Sequence, residues 1–281
     1  MRNDFAVFIC THGRPDNQLT LRTLLNSGYT GRWYLVVDDT DATIQSYIDN
    51  YGSEHILVFN KNHYINSVDV GTNSPPYACI LYAKNAVEDM AIKFALSSFL
   101  VCDDDIYNLR YRYADQDKLK SLSLTCNIDD VITSYIDFIL TANLTAVSFS
   151  GATVFFGGKL VFENVDKWRI PFTMVFRNCA FACTWRSSFS EDIITGLQLA
   201  KSGNMCYSLP FVQFSTVAVG GGVGGMQTTY KSMSDVKRAF YSVMYEPSCA
   251  KIGNIRNKYL PTYYKNNAFP KLVSHTYKKE K

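Results

Sequence analysis

The sequence lacks the features that mark several large classes of protein. No apolar run reaches the roughly 20 residues that a membrane-spanning helix needs. Met1 is followed by polar residues rather than by an apolar signal segment, so we expect a cytoplasmic protein with no membrane partner. The eight cysteines form neither a C-x-x-C pair nor a zinc ribbon, and Cys179 and Cys183, four apart, are weak evidence for a metal by themselves. We therefore expect reduced thiols.

The common phosphate-binding loops are also missing. The glycine-rich run Gly220–Gly225 is not followed by Gly-Lys-Ser/Thr, and no strand–helix junction frames it as a dinucleotide-binding turn. We interpret it as a mobile loop, which would serve either as a lid over a ligand or as a plain connection.

A strong charge of one sign is absent as well. The net charge is +3, from 28 Lys and Arg against 25 Asp and Glu. This balance neither indicates nor excludes a nucleic-acid binder. Basic residues concentrate at Arg110–Tyr113 and at Tyr277–Lys281, and each stretch is either a solvated surface or a phosphate contact.

What the sequence does contain is an alternation of strand and helix patterns. Apolar residues make up 47% of the chain, enough for a sizeable core. Strands are predicted at Phe5–Cys10, Trp33–Val37 and Ile56–Phe59, with helical spacing of apolar residues between them. This order favours a parallel sheet flanked by helices, which binds ligands at the carboxyl ends of its strands.

The pattern changes along the second part of the chain. Asn60–Pro76 is predicted to be a loop, and an apolar strand at Phe99–Cys102 follows a long helix. Two later stretches are typical of antiparallel strands with short turns. The helices are predicted at Tyr77–Leu96, Asp129–Thr141, Glu191–Lys201 and Asp235–Tyr245, and the antiparallel stretches at Val147–Phe162 and Phe172–Trp185. With no evident linker, residues 1–281 are predicted to form a single domain of the α/β class with a mixed second half.

The strongest local signal is the triplet Asp103-Asp104-Asp105, directly after a predicted buried strand. In extended backbone Asp103 and Asp105 point the same way and Asp104 points away. Adjacent carboxylates repel one another, and Mn²⁺ or Mg²⁺ would relieve that repulsion with oxygen ligands and a substrate diphosphate. The alternative is an acidic turn without a ligand.

The order of these motifs resembles the A-type (GT-A) glycosyltransferases. It runs from a strand with Thr11-His12-Gly13-Arg14, through a strand with Asp38-Asp39, to a strand with Asp103-Asp104-Asp105 and a Glu191-Asp192 helix start. The first loop and the Val36–Asp41 segment also look like those of phage enzymes that glycosylate hypermodified DNA bases. The resemblance implies transfer of a sugar from a nucleoside-diphosphate sugar, with uridine as the expected nucleoside. It implies DNA with a hydroxymethylated base as the acceptor, in the host cytoplasm if a phage encodes the protein.

The resemblance also implies site residues on the donor side. Residues 1–110 would form the nucleotide-sugar-binding half, and residues 111–281 the acceptor-side half. Asp103 and Asp105 would ligate the metal, and Asp104 would be structural or touch the ribose. The other residues expected to face the nucleotide are Thr11, His12, Gly13, Arg14, Asp38 or Asp39, Lys84 and Asn85. The alternatives are a surface arginine for Arg14 and a solvated turn or helix cap for Asp38 or Asp39. For Lys84 and Asn85 the alternative is a solvent-exposed helix face.

On the acceptor side, the resemblance implies an acidic pair at the start of a helix. Asp192, or Glu191 beside it, would be the general base of an inverting enzyme, or would orient the acceptor in a retaining one. A capping box formed by Ser188 and Glu191 explains the same residues structurally. The resemblance further suggests His275 as a third metal ligand and Lys278 as a diphosphate contact.

Three other functions remain open from the sequence alone. The enzyme would instead glycosylate a surface glycan, or the chain would be a non-catalytic module that binds nucleic acid or carbohydrate. A nucleotidyltransferase would also bind a metal and a nucleotide, but its usual first loop carries a Lys that Thr11–Asp16 lacks. Trp168, Trp185 and Arg186 would either stack on a sugar or base or, for the two Trp, pack in the core. The sequence leaves the oligomeric state undetermined.

Overall fold

The computed structural model describes residues 1–72, 79–116, 118–151, 174–177, 184–217, 233–255 and 258–263. Helices and strands alternate through the first part of the chain, and strands predominate later. The helices are α1 (Leu19–Asn26), α2 (Ile44–Tyr51), α3 (Lys61–Ser67), α4 (Ile80–Lys93), α5 (Ile128–Thr141), α6 (Glu191–Lys201) and α7 (Asp235–Tyr245), with a 3₁₀ turn at Ser53–His55. The strands are β1 (Phe5–Cys10), β2 (Arg32–Asp38), β3 (Ile56–Phe59), β4 (Ser98–Asp103), β5 (Ile106–Asp115), β6 (Lys118–Ser123), β7 (Ala146–Gly151), β8 (Met174–Arg177), β9 (Cys206–Thr216), β10 (Ala250–Ile255) and β11 (Lys258–Tyr263).

A large mixed sheet organises these elements. Its strand order is β3-β2-β1-β4-β8-β7-β9-β5-β6, and β10 pairs with β11 in a separate two-stranded sheet. Strands β1 to β4 are parallel, with Cys10 beside Asp103 and Val36. β8 runs antiparallel to β4, and β5 runs antiparallel to β9 and β6. The predicted α/β class, with a parallel first half and a mixed second half, is confirmed.

The sheet is covered by helices on both faces around β1. All residues of β1 are buried, which is why its sequence is continuously apolar rather than alternating. Phe5, Val7 and Ile9 pack in a cluster with residues of α1, α2 and α5. Ala6 and Phe8 pack in a second cluster with residues of α4. Burying each large side chain contributes about 1.5–3 kcal/mol, so β1 is firmly held beneath its terminal loop.

Several predicted elements agree closely with the structure, and others do not. The bounds of β1, β3, α6 and α7 are those expected. The expected loop Asn60–Pro76 is wrong in part, because it contains α3, whose first turn is capped by the Asn60 side chain accepting from the His63 N–H. The sequence patterns indicated neither the β5–β6 hairpin nor the strand β9. Trp185 does not lie in a strand.

The proposed nucleotide-sugar-binding and acceptor-side halves share one sheet. Their boundary at residue 110 falls inside β5, and strands from both sides of it belong to the nine-stranded sheet. A functional division of the chain at this point stays a prediction. Throughout the ranges given above, no helix combines the length and apolarity needed to cross a membrane.

Candidate active site

A cleft of about 200 Å³ opens at the carboxyl ends of β1, β2 and β4. The first turn of α4 forms one wall, through Cys79, Ile80 and Ala83. Parallel strands end together at this edge of the sheet, so the polar loops that follow them converge. The charged and polar side chains that line the cleft are Thr11, His12, Arg14, Asp38, Lys61, Asp103, Asp104 and Asp105.

The three aspartates occupy different environments. Asp103 is the last residue of β4, and its side chain is 41% exposed. Asp105 lies two residues further on, in the turn before β5. Within the described residues, the Oδ1 atoms of Asp103 and Asp105 are buried without a hydrogen-bond partner. Burial, and then the charges of Asp103 and Asp104, raise the pKa of Asp105 to about 7.

Asp104 is held by the protein itself. Its carboxylate is buried and accepts hydrogen bonds from the Thr11 hydroxyl at 2.7 Å and from Arg14 Nη1 at 2.8 Å. The amide of Gln18 in turn donates to the Thr11 hydroxyl at 2.9 Å. Asp104 thus connects the β1 loop to the β4 turn, in agreement with a structural role. The predicted contacts of Asp104 with ribose and of Arg14 with phosphate stay predictions.

The end of β2 carries a second polar network. Asp38 Oδ2 lies 2.7 Å from His12 Nδ1, and Asp38 Oδ1 accepts from the Lys61 ammonium at 3.2 Å and from the side-chain and backbone donors of Thr40. Burial opposes ionisation of Asp38, but these hydrogen bonds and the Lys61 charge outweigh it and hold its pKa well below the usual range. The hydrogen bond to Asp38 also raises the pKa of His12, against the effect of burial.

Both carboxylate oxygens of Asp38 therefore already have protein partners. Asp39, by contrast, is exposed and accepts the Lys61 backbone N–H at 3.0 Å. Of the two aspartates that the sequence proposed for the nucleotide, Asp39 has more contact with solvent. His12 is 38% exposed and lines the cleft beside Asp38.

The backbone of the β1 loop is held by residues that the sequence reasoning missed. Gly13 has a positive φ of 66°, which favours glycine, and its N–H donates to Asp41 Oδ2 at 2.6 Å. The Arg14 N–H donates to the Tyr47 hydroxyl at 2.8 Å. Lys61 is also new, and it is 2% exposed. Its position directly after β3, at the ligand-binding edge of the sheet, was the available signal.

Behind Asp103 lies a buried charge cluster. The Lys84 ammonium donates to Glu191 Oε1 at 2.7 Å and lies 3.8 Å from Asp103 Oδ1 and 5.0 Å from the centre of the Trp185 ring. Burial disfavours the charge on Lys84, but Glu191, Asp103 and Asp192 outweigh it and raise its pKa. Burial, followed by the charge of Glu191, raises the pKa of Asp192 well above its ordinary value.

Helix α6 presents Glu191 and Asp192 to this cluster, but not through the predicted capping box. That interpretation is wrong, because the Ser188 hydroxyl donates to Val70 O at 2.8 Å. The cap position is Ser190, in the left-handed conformation with φ of 56° and without a side-chain capping bond. The carboxylate of Glu191, the first residue of α6, pairs with the Lys84 ammonium. Asp192 is 5% exposed, and its Oδ2 has no hydrogen-bond partner among the described residues.

Some of the remaining predicted site residues lie within the described ranges and others lie outside them. Asn85 exchanges hydrogen bonds with the backbone of Trp185, at 3.0 Å and 3.1 Å. Trp185 is 3% exposed and packs against Phe176, so it has the core position considered from the sequence. Several predicted residues lie outside the described ranges: Cys179, Cys183, Trp168, Gly220–Gly225, His275 and Lys278.

The described residues fit a divalent cation with few protein ligands. No group of three or more His, Cys, Asp or Glu suited to a metal occurs among them. Asp103 and Asp105 nevertheless each line the cleft with a carboxylate whose Oδ1 accepts no hydrogen bond from the described residues, although Asp103 Oδ1 lies 3.8 Å from the Lys84 ammonium. One or two carboxylates, completed by substrate phosphates and water, is a usual way for proteins to hold Mg²⁺.

Structural comparison finds solved structures of low similarity to this chain. A mannosyltransferase from Pyrobaculum calidifontis, solved with GDP-Man and Mn²⁺, has a TM-score of 0.48 and 12% identity over 88% of this chain and 64% of its own. Glucosyl-3-phosphoglycerate synthase from Mycobacterium tuberculosis, solved with Mg²⁺ and UDP, has a TM-score of 0.47 and 7% identity over 93% and 87%. S. aureus TarS has a TM-score of 0.41 and 14% identity over 74% and 59%.

Sequence comparison is more decisive. No curated protein sequence matches this chain. The sequence profile of one family, described as TET-associated glycosyltransferase, matches residues 5–225. This range covers most of the chain and includes β1 to β9, the cleft and the start of α6. The predicted enzyme class is thereby confirmed, and the chain belongs to the TET-associated glycosyltransferase family.

Proposed function

We propose that this glycosyltransferase takes its sugar from a nucleoside diphosphate, with Mn²⁺ or Mg²⁺ held by Asp103 and Asp105. One observation carries the proposal. Two carboxylates, each with a buried oxygen that lacks a hydrogen bond among the described residues, stand at the carboxyl end of β4, in a cleft that also contains the cations Arg14 and Lys61 and the ring of His12. Carboxylates beside cations suit a ligand made of metal and diphosphate, because each charge of the complex meets its opposite.

The chain's own residues would orient the donor around that complex. His12, held by Asp38 at its Nδ1 atom, lines the cleft with its ring. Asp39 is the exposed carboxylate at the end of β2, where the resemblance places a nucleoside contact. When bound, the cation would neutralise charge on the leaving diphosphate as a Lewis acid and a template. Uridine as the nucleoside rests on the resemblance alone.

On the acceptor side, Asp192 is the candidate for the group that receives the acceptor's hydroxyl proton. Its carboxylate is buried beside Glu191, and its Oδ2 accepts no hydrogen bond from the described residues. Burial and the charge of Glu191 raise its pKa. A base whose pKa approaches the working pH combines a sufficient ionised fraction with a strong tendency to take the proton. Glu191 is less suited to this step, because its carboxylate is engaged by Lys84 at 2.7 Å.

For the acceptor, we propose DNA that carries a hydroxymethylated base. The resemblance of the β1 loop and the β2 end to phage enzymes supports this choice. Arg110 and Arg112 also lie on one face of β5, the strand that begins immediately after the aspartate triplet. Neither is fully buried, and in this proposal both contact DNA phosphates. A base in a duplex would have to be flipped to reach the cleft.

Metal and nucleotide binding can be tested without knowing the acceptor. Mn²⁺ with UDP should stabilise the protein against thermal unfolding, by about 2.7 kcal/mol at a hundredfold excess over the dissociation constant. Asp105→Asn should abolish this stabilisation. Asp49→Asn, the same change at an exposed position on α2, should leave it intact. Equal stabilisation of the wild type and Asp105→Asn would reject the metal site.

The acceptor requires a separate experiment. Hydroxymethylated DNA, unmodified DNA and a surface glycan are each incubated with the protein, Mn²⁺ and a panel of nucleotide sugars, and products are measured by mass spectrometry. We expect a hexose or pentose mass added to the hydroxymethylated base only. A mass added only to the glycan would reject DNA as the acceptor. No product and no donor hydrolysis with any sugar would favour a non-catalytic binding module of the same family.

A further inference from the structure

Lys84 is a buried cation whose contacts do not fit the donor-binding role that the sequence suggested. It lies within α4, is 2% exposed and is not part of the cleft wall. Its ammonium lies 2.7 Å from Glu191 Oε1 and 3.8 Å from Asp103 Oδ1. Because the side chain is buried, a nucleotide could contact this ammonium only if the residues that cover it moved.

The contacts instead join two parts of the site that are distant in sequence. Glu191 follows Lys84 by 107 residues and begins the helix that also carries Asp192. Asp103 ends β4. In the described part of the chain, the ion pairs of Glu191 and of Asp103 are both with Lys84. The lysine therefore connects the proposed metal carboxylate to the proposed acceptor-side acids.

The charge of Lys84 should affect how tightly the site binds a divalent cation. An ammonium and a divalent cation that share the carboxylate of Asp103 repel one another, and the repulsion is strong where water is excluded. Glu191 offsets part of the lysine charge from 2.7 Å away. Lys84 and Glu191 thus both affect the net charge behind the metal site, although neither needs to touch the metal.

We propose that Lys84 is a positioning residue and an internal counter-ion: it holds Glu191 and Asp103 together and lowers the affinity of the site for a divalent cation. This inference rests on the proposed metal site at Asp103 and Asp105. It predicts an unusual result, because removing a residue of the site tightens metal binding. A lysine that only supported the fold would, when removed, weaken or leave unchanged the binding of every ligand.

The test measures Mn²⁺ affinity directly, by electron paramagnetic resonance of free Mn²⁺, without donor or acceptor. Lys84→Met should bind Mn²⁺ about tenfold more tightly than the wild type, and Lys84→Arg should stay near the wild type. Lys93→Met is the matched control, because Lys93 is an exposed residue of the same helix. The Mn²⁺ affinity of Lys93→Met should equal that of the wild type.

Changes at Glu191 test the same idea with the opposite sign. Glu191→Gln leaves Lys84 uncompensated, so Mn²⁺ affinity should fall about tenfold. The double variant Lys84→Met with Glu191→Gln should return to near wild-type affinity. Glu191→Gln also tests the counter-ion role if Lys84→Met fails to fold. An unchanged Mn²⁺ affinity of Glu191→Gln would overturn the inference.

The outcomes separate this inference from the proposed function. If the wild type binds Mn²⁺, Asp105→Asn does not, and Lys84→Met binds like the wild type or more weakly, the counter-ion role is rejected and the metal site stands. If the wild type and Asp105→Asn bind Mn²⁺ equally, or neither binds it, the metal site is rejected and the counter-ion role with it.

Discussion

The most direct physical prediction concerns Glu88, which supports the wall behind the charge cluster. Glu88 lies on α4, and its Oε1 accepts a hydrogen bond from Trp185 Nε1 at 3.0 Å. The ring of Trp185 in turn lies beneath the Lys84 ammonium. Burial is the main cause that raises the pKa of Glu88 to about 8, with a smaller contribution from Asp89. The folded protein therefore favours the neutral acid.

The sign of the effect follows from proton linkage. Between the ordinary pKa of 4.5 and about 8, the folded state binds more protons at Glu88 than the unfolded state does. Stability from this group is complete below pH 4.5 and is lost as the pH rises to about 8. A shift of this size corresponds to at most about 5 kcal/mol. Screening by solvent at the partly exposed side chain reduces the expected loss to about 1–2 kcal/mol.

Glu88→Gln removes the charge and keeps the oxygen that accepts from Trp185. We expect the variant to be more stable than the wild type by about 1–2 kcal/mol near pH 8.5, and equally stable near pH 4.5. Urea unfolding at a series of pH values measures this difference. Glu54→Gln, the same change at an exposed position, is the control and should show no such trend. A difference between Glu88→Gln and the wild type that does not vary with pH would refute the reasoning.

Two further predictions concern other parts of the site. Asn85→Ala removes the side chain that pairs with both backbone groups of Trp185, and should lower the free energy of unfolding in urea by about 2–3 kcal/mol; a loss below about 0.5 kcal/mol would contradict this. Since Asp38 raises the pKa of His12, UDP binding that uses the His12 charge should weaken as the pH rises through that raised value. Asp38→Asn should move the weakening to lower pH in calorimetric titrations, and an unmoved profile would exclude His12 as its source.

The sequence predicted those elements whose local pattern and final environment agree. β1 is a short apolar run inside the sheet, β3 is a short apolar run at its edge, and α6 and α7 have regular helical spacing, so their bounds were expected correctly. The β5–β6 hairpin was missed although basic and aromatic residues alternate along Arg110–Tyr113, because that stretch was interpreted as a solvated surface or a phosphate contact. Its partners, which lie on β6 and β9, are set by long-range pairing.

In the site, the sequence located the loops but not the partners of each charge. It placed polar residues at the ends of β1, β2 and β4, and the structure brings those ends into one cleft. It did not indicate that Asp104 binds Arg14 and Thr11, or that both oxygens of Asp38 are occupied. These contacts join residues far apart in the chain, and equally plausible partners were available for each.

The order of the strand ends and the position of the triple aspartate at the end of β4 were thus indicated by the sequence alone, because each follows from the local pattern of apolar and polar residues. The tertiary structure decided which of these charges stay available. Buried charges must find an opposite charge when water is removed, and only the tertiary structure brought Lys84 of α4 close to both Asp103 and Glu191.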